Sequence, residues 1–492
     1  MIRSLPEHPR VDIDGVMVSV DHYIDGRRVA SAQTFEDRSP LDWTRLLADV
    51  SRGDATIAEY AVTAAANAFD DWAALGPAGR GPLLRRLGDL IDANIEPLAT
   101  VECADMAMLH ESLRLRVLSR GARNFRVYAD MAEAYDERVW SSNGTLNRVQ
   151  RRPAGPVVVV TPWNAPFMLS TWKCAPALAA GNTVVLKPAE WSPLSCSMMA
   201  DLAHEAGIPP GVFNVVQGIG EEVGAALVAD PRLRRISFTG SPATARHIGV
   251  AAAQNLVPFT AELGGKGPFI VFADADIEAA ARKAAGQFDD SGQVCLAGTR
   301  LLVQETIRDE FLDRFHHYTD QHILGDSHDA ATTISPMIHP EHLAAVAAFV
   351  DRARAHGDTV MRGGRIWRDG GLWYEPTLIE PLSNDSEIVQ NEVFGPVLTL
   401  QTFSTEAQAF ALANSTAYGL SAIVYTSSAE RAQRAGRGIR AGTIWTNCFL
   451  VRDLTAPFGG CGISGIGREG GDYALDFNSD LITFQVVEGS TR

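Results

Sequence analysis

Short apolar segments of strand character recur along this chain, spaced so that one helix fits between each pair. Val157-Val-Val-Val160, Thr183-Val-Val-Leu186, Val212-Phe-Asn-Val-Val216 and Arg235-Ile-Ser-Phe238 alternate with helical stretches at Ser195–Ala206, Glu222–Val228 and Pro242–Ala253. The runs are far too short to span a membrane, and they suit strands buried on both faces. Strands joined by helices imply right-handed crossovers and a mostly parallel sheet. After Glu262 the alternation restarts with a strand at Pro268–Phe272 and a helix at Ile277–Gln287. Further units follow at Thr299–Val303, Ile307–His317, Pro340–His356 and Ala422–Tyr425. The expectation is an α/β protein with two doubly wound parallel-sheet domains, the first of them Rossmann-like.

The remainder is placed around that frame. Ala58, Ala61, Ala65, Phe69 and Trp72 have helical spacing, and 82–132 reads as further helices. Leu481–Val486, and more weakly Leu146–Gln150, have strand character outside both alternating regions, so they are expected to pair across subunits. The expected division is a cofactor domain from 1–133 and 151–262, a catalytic domain from 263–472, and an oligomerisation β-extension from 134–150 and 473–492. A homodimer or homotetramer follows. At 492 residues the chain exceeds one ordinary core, which agrees with several domains.

A net charge of −16 disfavours nucleic acid and anionic membranes as partners. Six cysteines are scattered with no metal-ligand spacing, which fits free thiols in a reducing compartment. Met1–Arg10 lacks the apolar core of a signal peptide, so a cytoplasmic location is expected. His316, His317, His322, His339 and His342 cluster in sequence, but no carboxylate or cysteine pattern completes a metal site. They are expected at the surface, with no metal.

Chemistry concentrates in Ala261-Glu-Leu-Gly-Gly-Lys266 and Gly292-Gln-Val-Cys-Leu-Ala-Gly298. Glu262 and Cys295 each sit beside glycines that let backbone approach a ligand closely. A thiol can attack a carbonyl carbon, and a carboxylate can activate water to release the acyl group. Phe238-Thr-Gly-Ser241 reads as a strand-to-helix turn suited to phosphate, with Gly240 and Ser241 at the helix start. Gly218-Ile-Gly220 with Gly224 resembles a dinucleotide fingerprint, a weak signal alone. Together these point to aldehyde redox chemistry with a nicotinamide cofactor. On spacing alone, Asn164 between two prolines reads as a turn residue.

The ordered motifs Thr161-Pro-Trp-Asn-Ala-Pro-Phe167, Lys187-Pro-Ala-Glu190, Phe238-Thr-Gly-Ser241, Glu262-Leu-Gly-Gly265, Gly292-Gln-Val-Cys295, Asn391-Glu-Val-Phe-Gly-Pro396 and Pro457-Phe-Gly-Gly460 resemble the aldehyde dehydrogenase superfamily. Asn447-Cys-Phe-Leu-Val-Arg-Asp453 and Ser464-Gly-Ile-Gly-Arg-Glu-Gly470 resemble its branch acting on muconic and hydroxymuconic semialdehydes. Two stretches depart from the family pattern. Ser39-Pro-Leu-Asp42 replaces a common Asn-Pro-Ala-Thr-Gly turn, and Met106-Ala-Met-Leu-His110 replaces a Gly-Lys-Pro segment.

The resemblance implies that Cys295 is the nucleophile, Glu262 the base for thioester hydrolysis, and the Asn164 amide with the Cys295 N–H the oxyanion donors. It implies a cofactor site from Thr161, Pro162, Trp163, Lys187, Glu190, Gly220, Gly224, Phe238, Gly240, Ser241, Glu392 and Phe394. Glu190 at the adenosine ribose would repel a 2′-phosphate, favouring NAD over NADP. The same branch implies that Arg120 and Arg452 bind a substrate carboxylate, with Phe167, Trp172 and Phe449 around the carbon chain. The alternatives are a general aldehyde dehydrogenase for uncharged substrates, a coenzyme A-acylating enzyme, which Glu262 argues against, and a silent binding protein on the same fold.

Overall fold

The computed structural model describes residues 9–368 and 370–488. Residues 1–8 of the segment read for a leader, and 489–492 of the expected extension, lie outside them.

Two parallel-stranded sheets organise the chain. In the first, the parallel strands run in the order Phe259–Glu262, Arg235–Thr239, Pro156–Val160, Thr183–Lys187, Phe213–Val215. The chain leaves Pro156–Val160 towards one side of the sheet and later returns to its other side. That strand and Arg235–Thr239 therefore flank a topological switch point, where crevices open at the carboxyl ends of strands. Alternate residues of each strand face opposite cores. Val157, Val159, Val184 and Leu186 enter one, and Val158, Val185, Ile236 and Phe238 enter the other.

The second sheet runs Thr359–Arg362, Thr377–Glu380, Val397–Phe403, Arg300–Gln304, Pro268–Val271, Ser421–Tyr425, Thr443–Thr446, parallel except at its first strand. Phe269, Leu301 and Ile423 face one core; Ile270, Leu302 and Val424 face another. Glu262 ends a strand of the first sheet, and Cys295 lies just before Arg300–Gln304 of the second. Glu262 and Cys295 thus sit where the carboxyl ends of one sheet meet the amino ends of the other.

The helices expected near 55–75 and 82–132 are present as Ala55–Ala74, Gly76–Ala93, Ile95–Met106 and Leu118–Glu133. Six short strands between Arg10 and Ser51 were not anticipated. They contribute His22–Ile24 and Arg27–Val29 as antiparallel edges of the first sheet. At one family departure, Ala107 caps helix Ile95–Met106 with φ 60, a left-handed conformation that glycine takes more readily.

Ser479–Val487 pairs antiparallel with Thr145–Pro153, which pairs with Arg138–Ser142. This three-stranded ribbon lies outside both large sheets. Gly465–Ile466 returns to the first sheet and pairs with Ala261 and Glu262. Among the described residues no helix is long and apolar enough to cross a membrane, and the six cysteines are free.

Candidate active site

Cys295 sits half-buried on a loop that needs its glycines. Gly292 has φ +66, and a Cβ there would fall 2.2 Å from the carbonyl oxygen of Gly395. A Cβ on Gly265 would fall 2.3 Å from the carbonyl oxygen of Cys295 itself. The Glu-Leu-Gly-Gly and Gly-Gln-Val-Cys motifs are therefore two halves of one close backbone contact. The amide of Asn164 donates to the carbonyl of Gln293 at 2.9 Å, which brings the first motif to the same loop.

The electrostatics suit a base-assisted thiol. Burial, then the carboxylates of Glu392 and Glu262, push the Cys295 thiol up to about 12, while Arg452 pulls the other way. Glu262 is buried, and among the described residues neither of its carboxylate oxygens has a hydrogen-bond partner. Burial and the neighbouring Glu469 hold its carboxyl well above the usual carboxylate range, against Lys173, Arg452 and Arg468. A carboxyl raised this way is, once ionised, a stronger base than a solvated carboxylate. Glu469 is ion-paired with the buried Lys173, whose Nζ also donates to Ser237 at 3.1 Å.

Cys295, Glu262 and Asn164 line one cavity of about 400 Å³. Arg120, Trp172 and Arg452 line it too. The guanidinium of Arg452 lies 3.7 Å from the centre of the Phe458 ring. Among the described residues neither arginine forms a salt bridge: Glu469 is taken by Lys173, and Asp453 accepts from Thr455 at 2.9 and 2.8 Å. Burial and the charge of Arg452 bring Arg120 down to about 9, and burial lowers Arg452. Two half-buried guanidinium groups on one cavity, neither in a salt bridge among the described residues, suit an anion.

Two expected substrate residues are corrected. Phe167 is fully buried in the core beneath Gly121, because the helix Pro166–Ala179 turns that side chain away from the cavity. Phe449 packs edge-on against Trp445 at 5.4 Å and lines a smaller neighbouring cavity of about 100 Å³. Trp172, the third residue expected there, does line the cavity, and Ala165, Met168 and Leu169 complete that wall. Their spacing of three, four and seven is one face of a helix, a signal legible in the sequence and not used. Arg116, Leu450 and Asp290 also line the cavity unannounced.

The cofactor candidates gather along the switch-point crevice. Ser241 caps the helix Pro242–Gln254, accepting from the Thr244 N–H at 3.1 Å, just after the carboxyl end of the strand Arg235–Thr239. Phe238 is corrected from a contact to a support: its ring is buried under Gly240, where a Cβ would meet it at 2.5 Å. Thr161 turns its hydroxyl inward to Ser170 at 2.9 Å, leaving Pro162 and Trp163 half-buried. Lys187 bonds Glu190 at 2.9 Å, and a Cβ on Gly220 or Gly224 would lie 3.9–4.0 Å from the Lys187 side chain. Burial opposes ionisation of Glu190, but Lys187 together with the backbone N–H groups of Glu190 and Gly220 outweighs it and lowers its pKa. Glu392 accepts from the Gly265 N–H at 2.8 Å, and burial raises it to about 7. Phe394 is left-handed, φ 57, with Trp163 edge-on at 5.4 Å.

The histidines depart from expectation. His317 is exposed, but His322, His339 and His342 are half-buried and bonded. No group of metal-binding side chains occurs among the described residues.

The profile of the aldehyde dehydrogenase family matches residues 28–483, and the chain belongs to that family. It is 37% identical over 481 residues to the 2-hydroxymuconic semialdehyde dehydrogenase of Pseudomonas sp. strain CF600, covering 94% of this chain and 99% of that one. It is 38% identical over 474 residues to a betaine aldehyde dehydrogenase of Cereibacter sphaeroides, covering 96% and 98%. The P. syringae indole-3-acetaldehyde dehydrogenase AldA, solved with NAD+ and IAA, superposes with a TM-score of 0.93 at 37% identity, over 96% and 97% of the two chains.

Proposed function

We propose that this enzyme oxidises an aldehyde carrying a carboxylate group, with NAD as hydride acceptor. The relatives do not choose the substrate, since a semialdehyde enzyme and a betaine aldehyde enzyme are equally similar. The observation that carries the reading is the pair of unpaired arginines sharing one cavity with Cys295.

The crevice fits a dinucleotide. It offers a helix start at Ser241, a buried carboxylate at Glu392, and the Lys187–Glu190 pair for a ribose. When bound, that group supplies the hydride acceptor. The chain's own residues do the rest. Cys295, deprotonated by a base, adds to the aldehyde carbon. The amide of Asn164 and the Cys295 N–H hold the resulting oxyanion. After oxidation the acyl group is a thioester on Cys295, and Glu262 takes a proton from the water that cleaves it. Arg120 and Arg452 hold the far carboxylate. A turnover panel of carboxylate-bearing, aromatic and aliphatic aldehydes, each with NAD and NADP, tests this. Equal kcat/KM across the panel would overturn the substrate assignment, and NADP preference would overturn the cofactor.

We further propose the domain division given above, a cytoplasmic location and a homo-oligomer joined through the ribbon. In support, Leu481, Phe484 and Val487 are exposed on the edge strand Ser479–Val487. Truncation before Leu481 should reduce the sedimentation coefficient of the assembly; an unchanged value would refute this role.

A further inference from the structure

Three loops converge beside the candidate cofactor cleft, and the segment Pro336–His342 touches each of them. The Ile338 N–H donates to the Gln293 side chain at 3.0 Å, two residues from Cys295. The His342 ring lies edge-on to Trp163 at 5.4 Å. Its Nε2 is 2.8 Å from the carbonyl oxygen of Phe394. A carbonyl only accepts, so Nε2 carries the proton. Burial keeps this imidazole below the usual histidine range, so it is neutral.

That bond lands on a backbone under constraint. Phe394 is left-handed, and the adjoining Gly395 is so tight against helix Pro340–His356 that a Cβ would come within 2.8 Å of Val346. The carbonyl of Gly395 in turn abuts Gly292 of the Cys295 loop. His339 anchors the other end of the bracket. Its Nδ1 accepts the His342 N–H at 3.1 Å, and its ring stacks on Trp191 at 4.1 Å, beside Glu190.

We propose that His342 is a positioning residue for the cofactor: its bond to the Phe394 carbonyl holds the Glu392–Phe394 loop in register with the Cys295 loop. This rests on the reading of Glu392 and Phe394 as contacts of the nicotinamide end. A left-handed phenylalanine without its carbonyl tether would sample other conformations, and the bound ring would lose its fixed distance to the thiol. His342 touches no substrate in this account.

The test compares His342→Gln, which keeps a donor of similar reach, with His342→Leu, which keeps volume without a donor, and His342→Asn, whose donor is too short. Binding of NADH is followed by its fluorescence, and of NAD by competition. Alkylation of Cys295 by iodoacetamide is measured without cofactor, and Tm for each variant. The Leu and Asn variants should bind NAD about three- to tenfold more weakly, as expected for one lost hydrogen bond. Gln should bind within about twofold of wild type, and alkylation should be unchanged throughout. If Leu fails to fold, Asn against Gln decides. Wild-type affinity in Leu or Asn, or equal weakening in Gln and Asn, would overturn the proposal. Failure of the wild-type protein itself to bind NAD would overturn the cofactor reading and this proposal with it.

Discussion

Arg120 and Arg452 pack against the same indole, their guanidinium carbons 5.3 and 5.7 Å from the centre of the Trp172 ring. One comes from helix Leu118–Glu133 and the other from the loop after Thr443–Thr446, so some 330 residues of chain separate them in sequence. Trp172 sets their spacing, and a planar carboxylate is the ligand that satisfies two such forks. Changing either arginine to Ala should raise KM for a carboxylate-bearing aldehyde about tenfold or more, from the loss of a charge-assisted contact of ~1.5–3 kcal/mol. An uncharged aldehyde should be barely affected. Equal effects on both substrates would instead indicate a packing role.

The two arginines are not equivalent towards the thiol. Arg452 is the cation that lowers the proton affinity of Cys295, and it also favours ionised Glu262. Arg452→Met should therefore move the pH profile of iodoacetamide alkylation upward, and Arg120→Met should move it less. Identical profiles in the two variants would disprove the distinction.

Glu262→Gln should form the thioester and release it slowly. The expected record is a burst of one NADH per active site, followed by slow turnover, with an acyl adduct on Cys295 by mass spectrometry. Absence of the burst would place Glu262 earlier, in activating the thiol.

Away from the site, Glu102 is fully buried. Burial, with a contribution from Asp105 and against the Ser195 hydroxyl, raises it to about 8 from an ordinary 4.5. The unfolded chain ionises at the lower pH and the folded one at the higher. Stability from this group is thus intact below about 4.5 and lost as pH rises towards about 8. Glu102→Gln should gain in Tm relative to wild type at pH 8 and gain less at pH 5, as measured by thermal melts. A difference in Tm independent of pH would show that Glu102 does not titrate in this range.

Much of the arrangement was readable from local pattern. Val157–Val160 and Thr183–Leu186 are too apolar to be anything but doubly covered strands, and the alternation around them dictates a parallel sheet. Gly265 and Gly292, expected to let backbone approach a ligand, instead pack against the carbonyls of Cys295 and Gly395. The strands between Arg10 and Ser51 were not readable. Several are only three or four residues long, and their register is set by edges they join rather than by their own composition.

The cavity marks the same division. The sequence by itself determined the fold class, and it singled out a thiol, a carboxylate and a turn suited to phosphate as candidates, because each rests on a short contiguous pattern. Only the tertiary structure decided which side chains face one another. A helix presents one face to the cavity, so Met168, Leu169 and Trp172 line it while Phe167 enters the core. Folding left Arg120 and Arg452 unpaired by giving Glu469 to Lys173, and it turned His342, expected at the surface, towards the carbonyl of Phe394. Those relations depend on contacts between residues tens to hundreds of positions apart, and no local pattern encodes them.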